Sequence, residues 1–149
     1  MNQRARNAAL KRLEAFIGDW RVDASFPGSA PGHAAFEWAL HGQYLLQRME
    51  TPDPAPDCLA IISRDPKTGA YTQHYFDSRG VTRIYAMTFN RGIWTLLRQK
   101  PDFSPLDFHQ RFVGRLSKDG STIKGTWETS TGRRSAWKKD FDLTYTRET

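Results

Sequence analysis

The chain has one cysteine, Cys58, in 149 residues. A lone thiol closes no internal disulfide, and no paired-cysteine spacing exists to hold a metal. A reducing compartment fits this usage, and the chain reads as cytoplasmic. No apolar run approaches the length of a membrane span. Met1 to Leu10 is polar and basic, without the apolar stretch of a signal peptide. Only four histidines occur, His33, His41, His74 and His109. None is spaced i, i+2 or i, i+4 from another, so no metal site is expected. There is no Gly-x-Ser-x-Gly elbow, phosphate loop or dinucleotide fingerprint. Nucleophilic catalysis is therefore unsupported, and no cofactor is expected. The net charge is +6, from 22 Lys+Arg against 16 Asp+Glu. Its basic residues are scattered, with short pairs at Lys11-Arg12, Arg133-Arg134 and Lys138-Lys139. That pattern suits a solvated surface better than nucleic-acid or membrane binding.

Aromatic residues, by contrast, are plentiful: five Trp, nine Phe and five Tyr. Such rings favour strands and line hydrophobic cavities. Asn2 to Ile17 reads as a helix, because Ala9, Leu13, Phe16 and Ile17 recur at helical spacing. Gly18 stops it. The period then changes to two. Strand-like runs follow at Trp20–Phe26, Ala34–Leu40, Tyr44–Glu50, Cys58–Ser63, Tyr71–Asp77, Val81–Phe89, Trp94–Gln99, Asp107–Leu116, Thr122–Thr129 and Trp137–Tyr145. The links are short and rich in turn residues, such as His41-Gly42, Arg91-Gly92 and Asp119-Gly120. Neighbours in sequence are then neighbours in an antiparallel sheet, which hides its edges by closing. The expected fold is all-β: a ten-stranded up-and-down antiparallel β-barrel with a short N-terminal helix. One domain spans 1–149, with the helix at 1–17 and the barrel at 18–147.

Turn chemistry also assigns faces, because cross-strand partners share a side. An Asp119-Gly120 turn pairs Leu116 with Ile123 and Phe112 with Trp127. It points Phe108, Gln110, Phe112, Ile123 and Trp127 inward, and His109 and Arg111 outward. An Arg91-Gly92 turn aligns Phe89 with Trp94, Met87 with Leu96 and Tyr85 with Arg98. A His41-Gly42 turn aligns Trp38 with Leu45 and Phe36 with Gln47. In the last strand Trp137, Phe141, Leu143 and Tyr145 oppose Lys138, Asp140, Asp142 and Thr144, with Lys139 oddly on the apolar side. Two registers are open for the fifth strand. A two-residue Arg79-Gly80 turn puts His74 beside Tyr85. A three-residue Ser78-Arg79-Gly80 turn puts Tyr75 beside Arg83, and Asp77 with Gly80 suits it. His74 is carried here as the inward residue.

The segment Phe16-Ile17-Gly18-Asp19-Trp20 resembles the Gly-x-Trp signature of lipocalins and their calycin relatives. That resemblance implies a barrel whose closed end is plugged by Trp20, with Arg147 packed over it. The stretches Gly42-Gln43-Tyr44-Leu45, Asp65-Pro66-Lys67-Thr68-Gly69-Ala70-Tyr71, Tyr75-Phe76-Asp77-Ser78-Arg79-Gly80 and Ile123-Lys124-Gly125-Thr126-Trp127-Glu128 are similar to bacterial lipocalin-like proteins of the DUF1579 type. This likeness implies a hydrophobic cavity and no particular reaction. Ten strands also resemble fatty-acid-binding proteins and nitrobindins. The Gly-rich continuation of nitrobindins is absent, since Arg21-Val22-Asp23-Ala24 follows Trp20, which weakens a haem reading.

Trp38, Trp94, Phe112 and Trp127 supply apolar walls for such a cavity. His74, Arg83, Tyr85, Arg98 and Gln110 are its polar interruptions. A buried guanidinium needs an answering charge, either a protein carboxylate or the headgroup of a bound acid. The expected partner is a small, mostly apolar or aromatic ligand, a carboxylate among the options. Beyond it the chain offers at most a second copy of itself, as a homodimer. Two other readings stay open. One is a cofactor-free isomerase, cyclase or decarboxylase using His74 or Tyr85 as acid or base. The other is a filled barrel that docks proteins.

Overall fold

A computed structural model describes residues 3–132 and 135–148. Helix α1 (Gln3–Arg12) runs into a single 3-10 turn (Leu13–Phe16). Ten strands follow: β1 (Gly18–Ala24), β2 (Gly32–Ala39), β3 (Tyr44–Glu50), β4 (Cys58–Arg64), β5 (Tyr71–Asp77), β6 (Thr82–Asn90), β7 (Ile93–Arg98), β8 (His109–Leu116), β9 (Thr122–Ser130) and β10 (Lys138–Arg147). Each pairs antiparallel with its neighbour in sequence, and β10 pairs with β1 to close the barrel. Arg91 and Gly92 both take positive φ, the twist a tight hairpin demands. The expected pairs Phe89–Trp94, Trp38–Leu45 and Phe112–Trp127 are all present.

The barrel is closed at the end where β1 begins. Alternation along β1 buries Trp20 completely, and the helical spacing of Ala9, Leu13 and Phe16 seats them against it. The indole N–H of Trp20 donates to the Phe16 carbonyl at 2.8 Å. Arg147 lies over the Trp20 ring, 4.1 Å from its centroid. Its nitrogens donate to the carbonyls of Ala15 (2.7 Å), Ile17 (2.6 Å) and Gly120 (3.1 Å). Gly18 has φ +123°, and a Cβ there would stand 2.9 Å from the Arg147 guanidinium. Glycine thus serves both the backbone angle and the approach of the arginine. Farther in, the Phe112 ring covers Gly114 and Gly125, where any side chain would collide with it.

Three inward assignments are corrected. In β5, Tyr75 pairs with Arg83 and Gln73 with Tyr85, so His74 shares the outer face with Ile84. The three-residue Ser78-Arg79-Gly80 turn wins because Asp77 organises it. Its Oδ1 accepts from the N–H groups of Arg79 (2.9 Å) and Val81 (3.3 Å). In β10 a bulge separates Lys139, opposite Glu128, from Phe141, opposite Trp127. The extra residue shifts the alternation by one. Lys139 therefore faces out, where it pairs with Asp142. Trp137 also lies outside, under the Arg111 guanidinium at 4.4 Å. The outward side chain of His109 does not meet water freely; it is only 9% exposed. Its cross-strand partner Ser130 is buried too, so the outer wall is covered at this point.

Trp20→Ala removes the largest fully buried ring of the closed end. We expect it to cost about 3–5 kcal/mol, read as a lower urea midpoint. An unchanged midpoint would show that the plug does not hold the barrel.

Candidate functional site

At the opposite end, alternation aims a second set of side chains inward. Tyr75, Arg83, Tyr85, Gln110 and Trp127 share the interior by register. Tyr85 and Gln73 are buried, whereas Tyr75, Arg83, Gln110 and Trp127 are inward yet only partly buried. Inward side chains that still meet solvent line a mouth. The Tyr85 ring contacts Trp127 (centroids 5.7 Å) and Tyr75 (6.4 Å), and Trp127 contacts Phe112 (5.1 Å). The Tyr85 hydroxyl donates to Gln110 Oε1 at 3.0 Å. Burial pushes the Tyr85 phenol above its ordinary value, against the opposing pull of Arg83. Such a phenol is a hydrogen-bond donor rather than a base at neutral pH.

Two arginines face this region, and their surroundings differ. Arg98 is 2% exposed and already answered. Its Nε donates to Asp102 Oδ2 at 2.9 Å and its Nη2 to Asp102 Oδ1 at 2.8 Å. Nη2 also reaches the carbonyls of Ser104 (3.0 Å) and Pro105 (3.2 Å). Asp102 in turn accepts the Ile84 N–H at 2.8 Å, and the Ser104 hydroxyl donates to the Thr82 carbonyl at 3.0 Å. The pair thus pins the β7–β8 loop onto the overhanging end of β6. The expectation that Arg98 awaits a ligand anion is corrected: its counter-charge belongs to the protein.

Arg83 stands otherwise. Its Nε is buried and has no hydrogen-bond partner among the described residues. Its guanidinium carbon lies over the Phe108 ring at 5.8 Å. Phe108 also lines a rim pocket of about 530 Å³, together with Thr129, Lys138 and Asp140. Phe108 therefore stands between the Arg83 guanidinium and a rim lined by one cation, Lys138, and one anion, Asp140.

The remaining expected site residues are dispersed. Trp38 pairs with Leu45 near the closed end and packs against the core there. Trp94 is 2% exposed, with its ring 4.9 Å from Phe16 and 5.0 Å from Phe112. It belongs to the plug side of the barrel. His74 lies outside, so it has no acid–base role in the interior. Three residues that matter here escaped the reading of the sequence. Tyr75 was hidden by the turn choice, although Asp77 and Gly80 carried the signal. Gln73 follows from the same shift of one residue. Asp102 sits in a loop, and no periodicity points to it.

Cys58 also faces inward, opposite Met49 and Asp77. Burial, with Asp77 and Asp57 nearby, pushes its thiol up to about 12. It is an inert thiol at neutral pH. Asp77 accepts from Tyr75 Oη at 2.8 Å and from Arg79 Nη2 at 2.7 Å. Burial alone would raise its pKa, but the bonds from Arg79, Tyr75 and the Val81 N–H hold it at about 2. Among the described residues, no cluster of three or more His, Cys, Asp or Glu could hold a metal ion. No described helix is long and apolar enough to cross a membrane.

The molecule is thus a closed ten-stranded antiparallel barrel, plugged at one end, with aromatic side chains and charges of both signs at the other. Its fold is similar to the solved structure of Rv2717c from M. tuberculosis, with a TM-score of 0.60 over 95% of this chain and 98% of that one. Identity between the two is 13%, so the likeness extends to the fold alone. No family model matches the chain, and no curated protein matches it. The DUF1579-type likeness rests on the quoted residues.

The clasp has a testable consequence. Arg98→Met would leave the Asp102 carboxylate buried without its partner. The expected cost is about 3–5 kcal/mol, measured as a drop in urea midpoint at pH 7. The pH dependence follows from the same carboxylates. The bonds from Arg98, joined by the Ser104 and Ile84 N–H groups, outweigh burial and hold Asp102 well below the usual range. Asp77 is held at about 2. Both are depressed from an unfolded value of about 3.9, so their contribution is complete above that value and lost as the pH falls through the folded values. The thermal midpoint should therefore drop between about pH 4 and pH 2. A flat profile there would contradict the ion-pair geometry.

Proposed function

We propose that the barrel binds a small, mostly aromatic acid at its open end, in the manner of a lipocalin-like carrier. The observation that carries this reading is the Arg83 Nε, buried and without a partner among the described residues. Desolvating a guanidinium donor is costly unless an acceptor replaces water. A bound carboxylate supplies that acceptor and the counter-charge together. The walls suit the rest of such a molecule. Tyr75, Tyr85, Phe108 and Trp127 offer ring faces and edges at the mouth. Arg98 is a structural residue in this reading, because Asp102 already neutralises it.

Aromatic carboxylates should quench tryptophan fluorescence, chiefly through Trp127, and their methyl esters should bind at least about tenfold more weakly. Arg83→Met should remove that preference for the acid. Equal affinity for acids and esters, or an unchanged preference in Arg83→Met, would sink the anchor role. Binding by none of them would favour a barrel that holds no ligand.

A further inference from the structure

Gln73 is 4% exposed, and its Oε1 has no hydrogen-bond partner among the described residues. Register places it inward on β5, directly opposite Tyr85 and two residues deeper than Tyr75. On β4 its direct partner Ile62 and the diagonal Ala60 are apolar, and the other diagonal, Arg64, turns its Nη2 to Gln43 Oε1 instead. A buried amide oxygen in an aromatic interior is expensive to leave bare. It needs a donor.

We propose that Gln73 is a second recognition point of the same site, accepting a hydrogen bond from a hydroxyl or N–H group of the bound acid. The proposal rests on the reading of Arg83 as the carboxylate anchor. The spacing supports it. Arg83 pairs with Tyr75 and Gln73 with Tyr85, so Arg83 and Gln73 are diagonal neighbours on adjacent strands. Such neighbours lie roughly 7–8 Å apart. That backbone separation, with both side chains turned inward, puts the two polar groups within the span of a rigid aromatic ring system. The Tyr75 and Tyr85 rings, at right angles and 6.4 Å apart, occupy the crossing diagonal of the same square, so a flat ring system that reaches both polar groups lies over them. The ligand class is therefore a hydroxylated or amino-substituted aromatic carboxylate, polar at both ends and flat between them. A site with a buried acceptor discriminates against an analogue that lacks the donor, because that analogue leaves the acceptor unpaired.

Isothermal titration calorimetry with three acids tests this on the intact protein: 2-naphthoate, 6-hydroxy-2-naphthoate and 6-methoxy-2-naphthoate. The hydroxy acid should bind at least about tenfold more tightly than naphthoate. The methoxy acid, which fills the same space without a donor, should gain nothing. Gln73→Met, checked for an unchanged thermal midpoint or better, should make hydroxy acid and naphthoate equal. Arg83→Met should instead weaken both together and leave their ratio intact. Equal binding of naphthoate and hydroxynaphthoate by the wild type would overturn the Gln73 role, as it would if a resident water already satisfied the amide. The Arg83 reading would survive that result, provided both acids still depend on Arg83. A methoxy acid as tight as the hydroxy acid would overturn the donor requirement. No binding by any of the three would overturn the carboxylate reading itself.

Discussion

The seam between the first and last strands is the constraint on which the rest depends. A ten-stranded meander becomes a barrel only if β1 finds β10, more than a hundred residues away along the chain. Arg147 secures that meeting from one side. Its guanidinium spreads over Trp20 and takes carbonyls from the 3-10 turn, the start of β1 and the β8–β9 link. The Ala15 and Ile17 carbonyls are acceptors left where the short helix ends. One side chain therefore satisfies the helix end, shields the plug and ties the two chain ends together. A lysine offers a single point charge instead of a planar fork and cannot do all three.

With one end sealed, the interior divides by polarity. Toward the plug, Trp94 meets Phe16, Phe36 and Phe112 edge to face. Toward the mouth, polar atoms enter the wall, and their partners decide what each one means. Arg98 and Asp102 form a pair sealed from solvent, with side chains 1% and 4% exposed. A buried pair of this kind fixes geometry more than it adds stability, and breaking it is severe. Here it fixes the β7–β8 loop against β6. Arg83, two strand residues from the Tyr85 level, has an aromatic face beside it and an Nε with no partner among the described residues. Two inward arginines thus differ in role, and Asp102, a single loop residue, makes one of them structural.

Much of the fold was legible because two-residue turns set register without help from distant contacts. Arg91-Gly92 and Asp119-Gly120 require positive φ or its equivalent, and the pairs flanking them follow by counting. Legibility failed where one residue changed the count. At Ser78-Arg79-Gly80, Asp77 accepts from the Arg79 and Val81 N–H groups, and the extra turn residue moves every side chain of β5 to the other face. At Lys139 to Phe141 a bulge does the same to the start of β10, which explains a lysine among apolar positions. The site was less legible than the fold for a related reason. Inward position can be read from alternation, but satisfaction cannot. Whether Arg98 or Arg83 lacks a partner depends on Asp102, a loop residue outside any periodic pattern.

Closure also governs how this molecule meets its neighbours. A sheet whose first and last strands are paired presents no row of free N–H and C=O groups. Strand addition, the commonest way for sheets to recruit a peptide or a twin, is consequently denied to it. Any association with another macromolecule must be made by side chains on a curved wall or at the rim. On a surface carrying a net charge of +6, such contacts will be governed by ionic strength more than by backbone complementarity. The closure that hides the sheet's edges leaves the charges of its outer wall and rim as its terms of contact.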